Sequence, residues 1–290
     1  MSSSYLITAQ ALQTRLAQNP ANVLVCDCRF DLVDPDLGQR AYDTSHLPGA
    51  VYVDLGRSLS SQKNGLNGRH PLPDADVFAQ YLVTLGVNQD TLIVGVDAHG
   101  GLYGSRLWWL ARWVGHANVV VLDGGMPAWQ TAGYTLTTEQ PTARPLGNFK
   151  RSASLVSSVD LANMQAGLGR DDRLIVDARP GDRFQGQNET LDAKAGHIPG
   201  AASRPVKDNL NDDGTFKAPE VLRTEFIKLL GSHPATDLVA SCGSGVSACH
   251  LLLALELAGL SGGSLYGGSW SEWSSQPNAP TETGPSRIIG

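Results

Sequence analysis

The chain has 290 residues, of which 41% are hydrophobic and 17% charged, so it can build a packed core and does not have the composition of a disordered protein. Its net charge of −6 and the lack of a long cationic run argue against nucleic acid or an anionic membrane surface as a partner. With only four cysteines the chain is no disulfide scaffold, and no stretch reaches the ~18 apolar residues of a membrane span. The length favours about two domains, and the composition favours a reducing, cytoplasmic location.

The first half of the chain alternates short apolar runs with helical segments. We predict helices over 9–17, 75–84 and 105–114, and strands over 23–28, 51–54, 92–97 and 118–125. Cys26 and Cys28 would point to the same face of the first strand. Their spacing is neither the C-x-x-C of a redox pair nor that of a zinc site, so we interpret both as core residues and expect no metal.

The second half repeats this order about 150 residues later. Segments 174–179, 197–201, 237–242 and 265–270 correspond to 23–28, 46–50, 92–97 and 118–125. Strands that alternate with helices predict an α/β fold in which each half is a mainly parallel, doubly wound sheet flanked by helices. We place the two domains at 1–140 and 158–290, with a linker over 141–157.

The duplication separates structural features from candidate catalytic ones. The H-x-P-G-A turn occurs at His46 and again at His197, so both histidines are interpreted as turn and hydrogen-bonding residues. Arg29 and Arg179 each follow a strand aspartate by two residues, and we assign both a structural role.

Two residues of the second half have no counterpart of the same type. Cys242 corresponds to Asp97, which cannot act as a sulfur nucleophile, and Arg183 corresponds to a position near Val33. The second half is therefore the predicted catalytic domain, and the first is predicted to be inactive.

Cys242 stands at the end of a predicted strand, in the sequence Ser-Cys-Gly-Ser-Gly-Val-Ser that leads into a predicted helix over 246–258. Gly243 and Gly245 allow a tight turn whose amides point inward, and the helix start adds to the positive field. Such a field favours the thiolate, which is the reactive form. Without the glycines, a buried core cysteine would be the simpler interpretation.

Two chemistries use a cysteine at such a junction. Cysteine phosphatases need an arginine six residues after the cysteine to clamp phosphate oxygens, but Ala248 occupies that position here. A phosphatase or an arsenate reductase is therefore a remote alternative. A loop lined with N–H groups suits a persulfide, whose outer sulfur carries negative charge.

The Cys242 loop, both H-x-P-G-A turns and the closing Gly-Gly-Ser-Trp-Ser-Glu-Trp segment resemble the tandem-domain rhodanese sulfurtransferases. The resemblance covers about residues 5 to 280. It implies two rhodanese-like domains, the first inactive, and a ping-pong reaction through a Cys242 persulfide, with no cofactor.

The loop also bears on the sulfur donor. Family members that use thiosulfate typically have C-R-K-G-V-T, whereas those that use 3-mercaptopyruvate resemble C-G-S/T-G-V-T. Gly243 and Ser244 resemble the second group. Thiosulfate is a dianion that needs local positive charge, whereas 3-mercaptopyruvate has one carboxylate and a ketone. The acceptor implied is a thiol such as thioredoxin, or cyanide.

The resemblance also implies roles for individual residues. Arg183 matches the family arginine that binds the donor carboxylate, and Ser244 matches a loop serine that assists proton transfer or polarises the ketone. His70 matches a first-domain histidine that reaches this serine. The rest of the loop, Gly243, Gly245, Val246 and Ser247, is expected to bind substrate.

The chain departs from the family pattern at several positions. Gly56 stands where an aspartate is usually paired with the histidine, which weakens the case for a Ser–His–Asp relay. No second arginine occurs between Phe184 and Gly196, where Lys194 is a possible substitute. Two further functions stay open: a thiosulfate sulfurtransferase, and a carrier that holds a persulfide for a protein partner.

Overall fold

Runs of branched apolar residues form the central strands. The structure, a computed structural model, describes residues 5–286. Val23–Asp27 and Leu92–Val96 are buried along their whole length and pair in parallel, with Val23 opposite Leu92 and Asp27 opposite Val96. A strand buried on both faces needs helices on both sides, which is the arrangement of a doubly wound sheet.

The first sheet has five parallel strands in the order β1-β5-β4-β2-β3. Its strands and the helices between them are β1 Leu6–Ile7, α1 Ala9–Gln18, β2 Val23–Asp27, α2 Leu37–Thr44, β3 Val51–Tyr52, α3 Ala75–Thr84, β4 Leu92–Val96, α4 Gly104–Trp113, β5 Val119–Leu122 and α5 Gly125–Thr131.

The second sheet has the order β6-β10-β9-β7-β8, and its strands are again all parallel. Each strand takes the same place in the second sheet as the corresponding strand takes in the first. Its elements are β6 Ser157–Val159, α6 Leu161–Ala166, β7 Leu174–Asp177, α7 Gly181–Phe184, β8 Ala202–Ser203, α8 Pro219–Leu230, β9 Leu238–Ser241, α9 Ser247–Leu257, β10 Ser264–Tyr266 and α10 Ser269–Trp273. The predicted duplicated α/β fold is confirmed.

The H-x-P-G-A turns are bonded alike in the two halves. The Nδ1 of His46 lies 2.7 Å from the carbonyl oxygen of Tyr42, and the Nδ1 of His197 lies 2.7 Å from that of Phe184. Each histidine ring also stacks on the aromatic ring of the same residue, with centroids 4.0 and 3.7 Å apart. Both histidines therefore hold the turn against the preceding helix.

The paired arginines are also equivalent. Arg29 donates to the carboxylate of Asp27 and to the carbonyl of Ser45, and Arg179 donates to Asp177 and to the carbonyl of Gly196. In each half the guanidinium thus joins the end of a central strand to the H-x-P-G-A turn. Because each aspartate is buried, its partner arginine supplies the compensating charge.

The described chain packs as two compact units. Unit 1 comprises residues 5–61, 73–155 and 212–216, and unit 2 comprises 62–72, 156–211 and 217–286. Residues 62–72 therefore belong to unit 2, although they precede α3 in the chain. No helix within residues 5–286 is long and apolar enough to cross a membrane.

Cys26 and Cys28 lie in the core of unit 1, each at most 1% exposed. Burial raises the pKa of the Cys26 thiol to about 12, so it stays protonated at neutral pH. None of the four cysteines, which all lie within the described residues, forms a disulfide.

Candidate active site

The loop of Cys242 joins two buried elements. β9 ends at Ser241 and α9 begins at Ser247, so five residues make the connection. Gly245 has a φ of +77°, and a Cβ there would collide with the carbonyl oxygen of Gly267. Only glycine fits this position, and it lets the loop fold back over the cysteine.

The sulfur of Cys242 is buried and faces this loop. The Gly245 N–H donates to Cys242 Sγ over 3.2 Å, and the Ser269 hydroxyl lies 3.9 Å from the same sulfur. A buried thiolate needs such donors, because the low dielectric around it otherwise disfavours its charge. The loop therefore supplies part of the stabilisation that an anionic sulfur requires.

Ser269 contacts the predicted nucleophile, Cys242, from a second direction, and it was not predicted from the sequence. Its hydroxyl accepts the backbone N–H of Cys242 over 3.0 Å and donates to the carbonyl of Tyr266 over 2.8 Å. Ser269 is buried and has a φ of +53°, a left-handed conformation that is unusual for a residue with a side chain. Gly125 is its structural counterpart, because the next residues, Met126 and Trp270, donate to the carbonyls of Asp97 and Cys242, and its φ is +58°. No sequence signal marked Ser269, since each half has a Gly-Gly pair at this point.

The same place in unit 1 holds a carboxylate instead of a thiol. Asp97 follows β4 as Cys242 follows β9. Its two oxygens accept four backbone N–H groups, over 2.7 to 3.0 Å, from His99, Gly101, Tyr103 and Gly104. This ring of four backbone N–H groups, the nest of Asp97, is therefore already occupied by the Asp97 carboxylate.

Ser244 and His70 are brought together. Both are 5% exposed, and His70 Nδ1 lies 2.8 Å from Ser244 Oγ. His70 belongs to unit 2 with the rest of segment 62–72. No carboxylate occupies position 56, and the carboxylate of nearby Asp54 accepts the N–H of Arg57 over 2.7 Å.

Three arginine side chains approach Gly243, two of them with their guanidinium groups. A Cβ placed on Gly243 would lie 2.6 Å from Nη2 of Arg69, 3.8 Å from Nη1 of Arg183 and 3.9 Å from Cδ of Arg179. The missing side chain thus leaves room for an arginine from outside the loop. Arg69 was not predicted, because only the packing of segment 62–72 in unit 2 brings it here.

Buried carboxylates face these arginines. Glu189 accepts from Arg183 over 2.9 and 3.0 Å, and Asp192 pairs with both Arg69 and, over 3.2 Å, Arg183. Burial alone would raise the pKa of Glu189, but the N–H of Leu191 and the pairing with Arg183 bring it below its ordinary value. Burial raises the pKa of Asp192, against the lowering effect of Arg69.

The remaining predicted residues occupy the loop and its edge. Val246 is buried, and Ser247 is the first residue of α9. The ammonium group of Lys194 donates a hydrogen bond to the carbonyl oxygen of Gln276 over 2.9 Å. Within residues 5–286 there is no cluster of three or more His, Cys, Asp or Glu side chains able to hold a metal ion.

Comparisons with known proteins agree with this geometry. The family described as "Rhodanese-like domain" matches residues 8–132 and 160–276. A Pseudomonas aeruginosa protein named "Probable 3-mercaptopyruvate sulfurtransferase" is 46% identical over 286 residues, which span 98% of this chain and 100% of that protein. A Gallus gallus protein named "Thiosulfate sulfurtransferase" is 35% identical over 278 residues, which span 92% of each chain.

A solved structure shows the same architecture. The crystal structure of SseA from Escherichia coli, whose description refers to 3-mercaptopyruvate sulfotransferases, superposes with a TM-score of 0.78 at 29% identity. The match covers 93% of this chain and 100% of that one. Both repeats of the chain therefore have counterparts in the solved protein.

Proposed function

The chain belongs to the rhodanese-like family of sulfurtransferases, and from this premise we propose that it moves sulfur from 3-mercaptopyruvate, through a Cys242 persulfide, to a thiol or cyanide. The observation that carries the choice of donor is the hydrogen-bonded pair of Ser244 and His70 beside a loop that has no basic residue of its own. A hydroxyl supported by an imidazole suits a ketone, which 3-mercaptopyruvate has and thiosulfate lacks.

The first half-reaction forms the persulfide. The Cys242 thiolate attacks the donor sulfur, a new S–S bond forms, and the C–S bond breaks with its electron pair moving into the enolate of pyruvate. The enolate then takes up the proton that the donor thiol brought. Ser244 and His70, 2.8 Å apart, can polarise the ketone oxygen and carry this proton.

The second half-reaction returns the enzyme to its starting form. An acceptor thiolate, for example that of thioredoxin, attacks the outer sulfur, and the S–S bond breaks to give the acceptor persulfide and the Cys242 thiolate. While the sulfur waits, the Gly245 N–H and the amides of the same loop can hold its negative charge.

Arg183 and Arg69 would bind the donor carboxylate. Arg183 is 15% exposed and Arg69 is 21% exposed, so both are accessible from the solvent side while their inner faces remain paired with acids. Substrate binding by Gly243, Val246 and Ser247 stays a proposal. Gly243 contributes by leaving the space that Arg69 occupies.

We also propose that the first domain, 1–140, is inactive and that the catalytic domain is 158–290, because Asp97 fills the position of the nucleophile in unit 1. Segment 62–72, which packs in unit 2, adds Arg69 and His70 to the catalytic domain. A cytoplasmic location is part of this proposal, since thiols that form no disulfide persist in reducing compartments.

Thiosulfate is the alternative donor, because a relative of this length carries that name. The test is kcat/KM for each donor with a thiol acceptor. The proposal expects 3-mercaptopyruvate to be preferred, and a clear preference for thiosulfate would contradict it. The Cys242→Ser variant is expected to lose turnover with both donors.

A persulfide carrier is the second alternative. Incubation with donor adds one sulfur, about 32 Da, to the intact mass in either case. Only multiple turnover with free small thiols distinguishes an enzyme from a carrier, which would stop after one equivalent of product.

A further inference from the structure

The arginines beside Cys242 are closely matched by acids. Three arginine side chains approach Gly243, and their guanidinium groups pair with three buried carboxylates, Asp177, Glu189 and Asp192. A donor thus meets a site whose fixed charges nearly cancel before the thiolate is counted. Thiosulfate brings two negative charges to this site, and 3-mercaptopyruvate brings one.

The three carboxylates differ in what else they hold. Asp177 fixes the strand end through Arg179, as Asp27 does in unit 1 through Arg29. Glu189 accepts the backbone N–H groups of Leu191 and Asp192, so it shapes its own turn. Asp177 and Glu189 therefore both have a structural role.

Asp192 is different, because its carboxylate oxygens contact two arginines. Its Oδ1 faces Nη1 of Arg69 and its Oδ2 lies 3.2 Å from Nη2 of Arg183, while its side chain is only 4% exposed. It therefore neutralises the two cations best placed to receive a donor anion. The chain also has this acid in the stretch between Phe184 and Gly196 that contains no second arginine.

We infer that Asp192 is a specificity-determining residue of the donor site: its buried carboxylate sets the net charge around Arg69 and Arg183, and so selects a donor with one negative charge over a donor with two. The inference rests on the proposed function. A buried charge acts on a doubly charged ligand twice as strongly as on a singly charged one, so its removal favours the dianion.

The test is the Asp192→Asn variant, which removes the charge and keeps the shape. We expect the ratio of kcat/KM for thiosulfate to that for 3-mercaptopyruvate to rise by about ten-fold. Asp192→Glu keeps the charge, and Asp172→Asn removes an acid that pairs with Arg170 on the surface. Both controls are expected to stay within about two-fold of the parent ratio.

A binding measurement makes the test independent of turnover. Calorimetric titration with sulfate, a dianion, and with pyruvate, a monoanion, is expected to show a gain in sulfate affinity of about ten-fold in Asp192→Asn and a smaller gain for pyruvate. If this variant does not fold, as judged by circular dichroism, Asp192→Ser carries the same test.

Two results would overturn the inference. One is an unchanged donor ratio together with unchanged sulfate affinity. The other is an equal loss of kcat/KM for both donors, which would show that Asp192 only positions the arginines. A parent enzyme that prefers thiosulfate would contradict the proposed function instead, and the sulfate titration would still decide the role of Asp192.

Discussion

The most direct test of the role of the Cys242 loop, residues 242–246, is Gly245→Ala. Gly245 has a φ of +77°, and the left-handed conformation costs a residue with a Cβ about 1–2 kcal/mol. The new methyl group would also collide with the backbone carbonyl of Gly267, which cannot rotate away as a side chain can. The loop must therefore move, and the Gly245 N–H moves away from Cys242 Sγ, which it now contacts at 3.2 Å.

The expected effect is on the chemical step. Removal of one preorganised hydrogen-bond donor from a buried anionic site lowers kcat by about 10²–10³-fold where it has been measured, as in oxyanion holes. Here the donor contacts the attacking sulfur of Cys242, and we expect a loss of the same order. Single-turnover release of pyruvate from 3-mercaptopyruvate measures persulfide formation directly, and circular dichroism at the assay temperature checks that the variant is folded.

Gly243→Ala is the matched control in the same loop. Gly243 lacks a positive φ, and its new Cβ would collide only with the flexible end of Arg69, at 2.6 Å, while Arg183 and Arg179 lie at ordinary contact distance. We expect this control to raise the donor KM and to change kcat by less than about three-fold. A folded Gly245→Ala enzyme with kcat within about three-fold of the parent would refute the assigned role of the amide.

Three other measurements test the remaining assignments. Arg183→Ala should raise the KM for 3-mercaptopyruvate at least about ten-fold with little change in kcat, and an unchanged KM in steady-state assays would rule out carboxylate binding. Ser269→Ala leaves the amide of the nucleophile without an acceptor, so urea unfolding should show a loss of about 1–3 kcal/mol, and unaltered stability would contradict this. Burial raises the pKa of Asp192, which faces Arg69, Arg183 and Glu189, so its charge is present above that pKa and lost as the pH falls through it. The parent ratio of thiosulfate to 3-mercaptopyruvate use should therefore rise towards low pH, whereas Asp192→Asn should show a flat ratio in the same buffers.

Local patterns predicted several helices and strands of unit 1. The helix predicted over 75–84 is observed at Ala75–Thr84, where Asp74 caps the N-terminus, and the helix predicted over 105–114 is Gly104–Trp113. Strand ends were predicted one to three residues too long, because the buried apolar run that predicts a strand continues past its last paired residue, as at Val53. The third strand shows this, since it ends at Tyr52 and not at residue 54.

Several helices were not predicted. Pro219–Leu230 begins at a proline, which the sequence analysis passed over although the first turn of a helix accepts it. Leu37–Thr44 lies in a polar stretch with no cap hydrogen bond from Asp36, so it had little local signal. Packing against the sheets decides such segments, and a single sequence does not show it.

The candidate site divides in the same way. Cys242 and the glycines beside it could be predicted from the sequence, because a turn with a positive φ next to Cys242 requires glycine, as at Gly245. Arg69 and Asp192 do not, because they lie 123 positions apart in the chain and meet only through the packing of segment 62–72 in unit 2. Contacts of such long range leave no periodic pattern in a sequence.

The filled nest of Asp97 limits how much sulfur one polypeptide can hold. Its four N–H groups are already satisfied by a carboxylate, whose charge would also repel an incoming anionic sulfur. Although the fold is duplicated, we therefore expect one sulfane sulfur per chain at saturation. Delivery to acceptors therefore scales with the number of protein molecules, and each molecule must be recharged after every transfer.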